Sequence, residues 1–274
     1  MGRERSLIPA LKYCFRGLKG GIFFLIGTTI FGGAIDWYWD RATIAQEVPT
    51  WNISPEAIDR SETLRLYQTK TVRVVKADSA GSGVIISREG NIYSVLTNWH
   101  VVDSSNPVIL TADDLEHQLI NPPQHLRDAD LAVLQFYSEV DYPTATIAAQ
   151  LPQVGDTVYA AGFPLAIANN ENTLNLGNKA FRLTQGEVSI IPAKSLPQGY
   201  RLGYTNDTKV GMSGSPVFNA QGLLVAIHGR GKYRDPGFGV YLFEDGSEPT
   251  SEQLEQMIES SWGIPISVYS ELIN

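Results

Sequence analysis

The sequence predicts an all-β body, on three observations. From Thr71 onward the chain is a series of short runs rich in β-branched and aromatic residues: TVRVVK, GVIIS, IYSVLT, VILT, DLAVLQF, TVYAAG, FRLTQGEVSII, YRLGYT, SPVF, LLVAIHG and GVYLF. Such side chains fit a pleated, half-buried surface. Turn residues punctuate nearly every gap, and both Arg88-Glu89-Gly90-Asn91 and Asn219-Ala220-Gln221-Gly222 have the length and composition of hairpin loops. There is no strand-loop-helix phosphate motif: Gly81-Ser82-Gly83 lacks the third glycine, the lysine and a following helix, so that glycine pair reads as close backbone packing. Many short strands at this spacing mean a sandwich or barrels, not a parallel α/β sheet.

In front of this body stands a different segment. Residues 1–19 are a basic n-region expected on the cytoplasmic side, and residues 20–39 hold the uncharged run GGIFFLIGTTIFGGAI followed by Asp36 and Trp37-Tyr38-Trp39. As a helix the uncharged run spans roughly 24 Å at 1.5 Å per residue. That falls short of a hydrocarbon core of ~30 Å unless Lys19 snorkels and the aromatic group sits at the interface. Small residues at Gly32 and Ala34, or at Thr43 and Ala45, suit a signal peptidase, so anchor and cleaved signal both stand, with the aromatic belt favouring the anchor. The positive-inside rule then exports the body, as a single-pass envelope protein or, after cleavage, a secreted one. Residues 40–62, mixing Pro, Ser, Thr and acids without period, read as a linker to a domain over 63–274. That domain is expected to close with a helix: Thr250-Ser251-Glu252-Gln253 has the form of a capping box, LEQMIESSW has helical spacing, and Gly263 and Pro265 stop it.

Charge and composition exclude several functions. The net charge of −8 divides into +4 over residues 1–35 and −12 over the rest. A body that acidic, with no basic stripe and interleaved aromatics, disfavours nucleic acid. The single Cys14 lies in the leading segment, so the body carries neither a disulfide framework nor a cysteine zinc cluster. With no HExxH and only four histidines, a metalloprotease is excluded, and no metal or organic cofactor is expected.

The chemistry concentrates in three strings. In Gly211-Met212-Ser213-Gly214-Ser215-Pro216 small residues flank one serine, leaving its hydroxyl uncrowded and letting backbone N–H groups converge on it. Acyl transfer from such a serine needs a base and a group holding the base's tautomer. Leu96-Thr97-Asn98-Trp99-His100-Val101-Val102 offers His100 just past a strand, and Asp130 opens DLAVLQF, with Asp128 two residues away as its rival on the same face of an extended chain. His117 and His125, in polar stretches, lack the strand-His-Val-Val context.

TNWHVV, DADLAVL and GMSGSPVF, in this order, resemble the three triad motifs of chymotrypsin-like serine proteases, with a leaning toward the bacterial trypsin-like and glutamyl-endopeptidase branch. The resemblance covers roughly residues 66 to 245 and extends to Gly81-Ser82-Gly83 before the His strand, to Ala161-Gly162-Phe163-Pro164 and to LTQGEVS. It implies two six-stranded antiparallel barrels with the site in their cleft. His100 and Asp130 would come from the first and Ser213 from the second. It also implies a mechanism. His100 takes the proton of Ser213, Asp130 orients the imidazole, and the backbone N–H groups of Gly211 and Ser213 hold the oxyanion. Chymotrypsin and trypsin carry an aspartate directly before the nucleophile, paired with a newly cut N-terminus. Met212 stands there, so activation by that ion pair is ruled out.

Thr208 and His228 stand at the spacings at which glutamyl endopeptidases hold a substrate carboxylate, with Gly229 and Arg230 beside His228. The resemblance therefore implies cleavage after Glu or Asp, with His228 giving hydrogen bonds and partial positive charge, against which the acidic body counts; the alternative is that His228 is a core histidine on an apolar strand and Thr208 an ordinary loop residue. A competing reading is a catalytically silent peptide-binding module of the same fold. A quality-control protease of the envelope would serve the same triad, but the approximately thirty residues after Glu244 are few for the peptide-binding domain such enzymes carry. The expected partner is a polypeptide substrate, with the membrane engaged only through the N-terminal segment; oligomeric state is open.

Overall fold

The structure, a computed structural model, describes residues 62, 64–77, 79–103, 106–166, 172–233 and 241–273. The expected anchor at 20–39, its basic flank and the linker up to residue 61 lie outside the described residues. Among those described, no helix is long and apolar enough to cross a membrane.

A helical turn over 64–68 leads into β1 (Thr71–Val75), followed by β2 (Ala80–Glu89), β3 (Ile92–Thr97), α1 (Trp99–Val102), β4 (Val108–Leu110), β5 (Glu116–Gln118), β6 (Gln124–His125) and β7 (Ala132–Tyr137). These strands form one antiparallel sheet of seven in the order β5-β4-β1-β2-β3-β7-β6. The expected Arg88–Asn91 hairpin joins β2 to β3, with Gly90 at φ 61. The first unit is therefore not the closed six-stranded barrel that the resemblance implies. Its far edge curls back onto β7 only through the bridge Leu119↔Phe136 and the Ile120 N–H to Gln135 carbonyl bond of 2.9 Å. Pro122 and Pro123 follow at once, and proline has no N–H with which to continue a ladder.

The second unit closes as expected. β8 (Thr157–Gly162), β9 (Arg182–Ile190), β10 (Leu202–Tyr204), β11 (Pro216–Asn219), β12 (Leu224–Arg230) and β13 (Ser261–Pro265) form a barrel in the order β10-β13-β12-β11-β8-β9. The Asn219–Gly222 hairpin joins β11 to β12, with Gly222 at φ 74.

The C-terminal expectation needs correction. The capping box forms, with the Thr250 side chain accepting from Gln253 N–H and the Gln253 side chain accepting from Thr250 N–H, but its helix α2 ends at Ile258 (Ser251–Ile258). Ser-Trp-Gly-Ile-Pro is then β13, and a further helix, α3 (Ile266–Ile273), follows it. Pairing overrides helical period here. β13 is wholly buried between β10 and β12, and the Trp262 indole N–H donates to the Met257 carbonyl at 3.1 Å, folding the strand back under α2. Tyr241–Phe243, read as the end of a strand, are irregular.

The largest apolar core lies between the two sheets. Val84, Leu96 and Leu131 from the first meet Phe163, Tyr200, Phe218, Ile227 and Trp262 from the second. Burial of these faces against each other holds the two units in the relation the site needs.

Candidate active site

Strand register brings the first two residues together. β3 and β7 run antiparallel with Thr97 opposite Ala132, so His100, three residues past Thr97, and Asp130, two before Ala132, emerge from the same end of the pair. The Asp130 carboxylate grips His100 twice, Oδ2 lying 2.6 Å from Nδ1 and Oδ1 accepting the His100 backbone N–H at 2.9 Å. The rival Asp128 is exposed, so Asp130 is the partner.

Asp130 is buried. Burial alone would raise its carboxyl, but the hydrogen bonds and charge of His100, with a bond donated by the Tyr200 hydroxyl, more than offset this and hold it below its ordinary value. The Tyr200 phenol is pushed well above its own ordinary value, by burial first and by Asp130 second, so it stays a donor. The Arg230 guanidinium stacks over the Tyr200 ring at 4.0 Å.

The serine turn comes from the second barrel, between β10 and β11. Gly211 and Gly214 sit at φ 94 and φ 86, where a side chain is strained. A Cβ on Gly211 would also meet the Leu165 nitrogen at 2.5 Å and the Phe163 oxygen at 2.7 Å. Each carbonyl from Val210 to Ser213 is engaged away from the cleft. Val210 accepts from Leu165 N–H (2.7 Å), Gly211 from the Ser82 hydroxyl (3.0 Å), Met212 from Ser215 N–H (3.0 Å) and Ser213 from Ser82 N–H (2.8 Å). Because each peptide is planar and trans, fixing a carbonyl fixes the N–H that follows. Among the described residues the N–H groups of Gly211 and Ser213 have no partner. Met212 packs into the barrel core, an apolar substitute for a buried charge at that position.

A cavity of about 880 Å³ opens over these groups, lined by His100, Asp130, Thr208, Ser213, His228, Gly229 and Arg230 among others. The structure thus brings together every expected site residue except Gly211, which is buried and does not line the cavity. Ser213 Oγ donates to the Gly229 carbonyl at 3.5 Å rather than to His100.

His228 is both buried and part of the cavity lining. The ring is 2 % exposed, and its pKa is lowered to about 3, by burial first and by His100 second, against a backbone hydrogen bond with Trp262. The Tyr204 hydroxyl lies 2.6 Å from Nδ1. His228 therefore gives the pocket a neutral dipole, not positive charge. A stability prediction follows. The folded pKa lies below the unfolded 6.5, so this group's contribution is complete above pH 6.5 and is lost as pH falls toward 3. The slope is about 1.4 kcal/mol per pH unit. Urea unfolding at pH 7, 5 and 4 should give a steeper decline for wild type than for His228→Gln, and parallel declines would contradict the assignment.

A family model described as trypsin-like peptidase domain matches residues 81–227. The chain belongs to the trypsin-like peptidase family. A probable periplasmic serine endoprotease DegP-like of Pseudomonas savastanoi pv. phaseolicola is 31% identical over 170 residues, a match covering 60% of this chain and 31% of that protein. The chain thus spans about a third of the length of the curated relatives it matches. Among solved structures, Rv3671c of M. tuberculosis H37Rv in its inactive form aligns with TM-score 0.55 and 17% identity over 80% of this chain and 92% of that one. The serine endoprotease of Yersinia pestis aligns with TM-score 0.52 and 23% identity over 78% and 64%. At these identities the two structures show a shared fold.

Sequence reasoning missed three groups of this trypsin-like site. Asn98 is fully buried and ties all three strings, donating to the Asp130 carbonyl at 2.9 Å and accepting Gly214 N–H at 2.7 Å. In the structure it stands at the N-cap of α1 without capping it, which the sequence does not reveal. Tyr200 reaches the site from the segment just before β10 and Ser82 from β2, and the sequence assigned neither a role there.

Proposed function

We propose that this chain is a serine endopeptidase in which Ser213 is the nucleophile, His100 the general base and then acid, and Asp130 the group that orients His100 and stabilises its charged form. The oxyanion is held by Gly211 and Ser213 N–H. The observation that carries the reading is the two-point grip of Asp130 on His100 in the same cavity as Ser213, in a turn whose Gly211 and Ser213 N–H groups have no partner among the described residues. His100 removes the Ser213 proton as Oγ attacks a peptide carbonyl, then donates it to the leaving amine, and water repeats the sequence on the acyl-enzyme. The substrate is a polypeptide and no cofactor takes part. Residues 20–39 anchor the enzyme, with its body in the envelope, a location that the periplasmic relatives support.

Cleavage after Glu or Asp is the proposed preference, supported by Thr208 and the cations Arg230 and Lys232 on the cavity wall, where Lys209 is instead paired with Asp207 at 2.9 Å. A neutral His228 contributes a hydrogen bond there and no charge. The turn of Ser213 toward Gly229 favours one other reading, the silent peptide-binding module. Digestion of a mixed peptide library by the full chain, with cut sites read by mass spectrometry, separates the two. Cuts that vanish in Ser213→Ala support the enzyme, and Glu or Asp before the bond supports the pocket. Serine-dependent cuts after other side chains remove the preference alone, and absence of cuts favours the module.

A further inference from the structure

The mechanism above makes no use of Arg73. At the centre of β1 its side chain is fully buried, and among the described residues no carboxylate pairs with it. Its partners are on the β8–β9 connection of the second unit. Nη1 donates to the Thr173 carbonyl at 2.8 Å and to the Leu174 carbonyl at 3.5 Å, Nη2 donates to Thr173 Oγ1 at 3.0 Å, and the guanidinium lies 5.9 Å from the Phe163 ring centre. Nε is buried without a partner. Among the described residues this interior charge has no carboxylate beside it, which is costly, and a well-packed apolar side chain would often serve stability as well. The arrangement therefore asks for a role beyond stability.

That role is visible in what Thr173 holds. Its hydroxyl donates to the Pro164 carbonyl and its N–H donates to the Leu165 carbonyl at 3.0 Å. Leu165 N–H in turn holds the Val210 carbonyl at 2.7 Å, which sets the plane of the Val210–Gly211 peptide. Directly opposite Arg73 on β2 stands Ser82, whose hydroxyl accepts Phe163 N–H at 2.9 Å and donates to the Gly211 carbonyl at 3.0 Å. One cross-strand pair of the first sheet thus fixes both peptides that flank the Gly211 α-carbon. Ser82 acts directly and Arg73 acts through Thr173 and Leu165. Two nitrogens of a planar fork on the carbonyl and hydroxyl of one threonine are a geometry that an ammonium cannot reproduce.

We propose that Arg73 is a positioning residue of the hydrolytic site, orienting through Thr173 and Leu165 the peptide whose Gly211 N–H holds the oxyanion. The proposal rests on the serine endopeptidase reading above.

The test uses the full chain and a peptide that the wild type cleaves in a Ser213-dependent manner. Variants are Arg73→Met, Arg73→Lys, Thr173→Val and, as a control, Asp114→Asn. The Asp114 carboxylate straps the same connection through Asn178, with bonds of 2.9 Å to its backbone and side-chain nitrogens, and does not touch the Leu165–Val210 bond. In folded protein Arg73→Met and Thr173→Val are expected to lower kcat by about 10- to 100-fold, with KM changed less than about twofold, as for a displaced transition-state donor. Arg73→Lys should recover only part of kcat, and Asp114→Asn should keep kcat whatever it does to the melting temperature. Wild-type kcat in folded Thr173→Val or Arg73→Met overturns the proposal, as does a loss of kcat that follows melting temperature across all four variants. Should Arg73→Met fail to fold, Thr173→Val decides. A wild type without Ser213-dependent cleavage overturns the endopeptidase reading itself, a result distinct from either of these.

Discussion

Replacing Ser213 by alanine is expected to lower kcat by about 10⁶-fold, because the loss of one member of a nucleophile-base unit removes nearly all that the unit contributes. KM and melting temperature should hardly move. The side chain is only partly buried, its one hydrogen bond among the described residues is the 3.5 Å contact to the Gly229 carbonyl, and the turn is fixed instead by its backbone and by Gly211 and Gly214. Initial rates on a library-derived peptide, with circular dichroism to check the fold, measure both sides of this expectation. A variant that keeps even a tenth of the wild-type rate would remove Ser213 from the chemistry.

Asp130→Asn carries the second largest expected effect, a fall of about 10⁴-fold in kcat/KM with the fold intact. The carboxylate now accepts at both oxygens, from the His100 ring through Oδ2 and from the His100 backbone through Oδ1. An amide can replace only one of those acceptors. With its oxygen on the backbone N–H, its NH₂ faces Nδ1 and forces the imidazole hydrogen onto the nitrogen that should receive the serine proton. The same substitution places an NH₂ beside the Tyr200 hydroxyl, which must then turn from donor to acceptor. Steady-state kinetics at neutral pH test it, and a loss smaller than about tenfold would mean that Asp130 does not set the tautomer.

The parts legible in the sequence are those whose meaning is local. A serine among glycines and a histidine just after an apolar strand are short strings that must be what they are for backbone and hydroxyl to meet, and His100, Asp130 and Ser213 do share one cavity. Alternating runs and turn residues likewise showed strands and both hairpins. What stayed hidden depends on distant pairing. Ser261 and Trp262 continue the helical spacing that Gly263 and Pro265 were expected to stop, and only the gap between β10 and β12 makes Ser-Trp-Gly-Ile-Pro the strand that closes the barrel. Two adjacent prolines limit closure of the first sheet, an effect that depends on which strand would have been their neighbour. Tyr200 lies seventy residues from the carboxylate it serves. His228 looked like a pocket charge because spacing says nothing about burial, and burial is what keeps its ring neutral.

The most direct test of the account is modification of the full chain by a fluorophosphonate, with the adduct located by mass spectrometry. Such a reagent reacts with a serine only when a base takes its proton and donors stabilise the developing oxyanion, so it needs no knowledge of the substrate. The account predicts one adduct, on Ser213, that disappears in His100→Ala. No adduct on Ser213, or an equal one without His100, would contradict it.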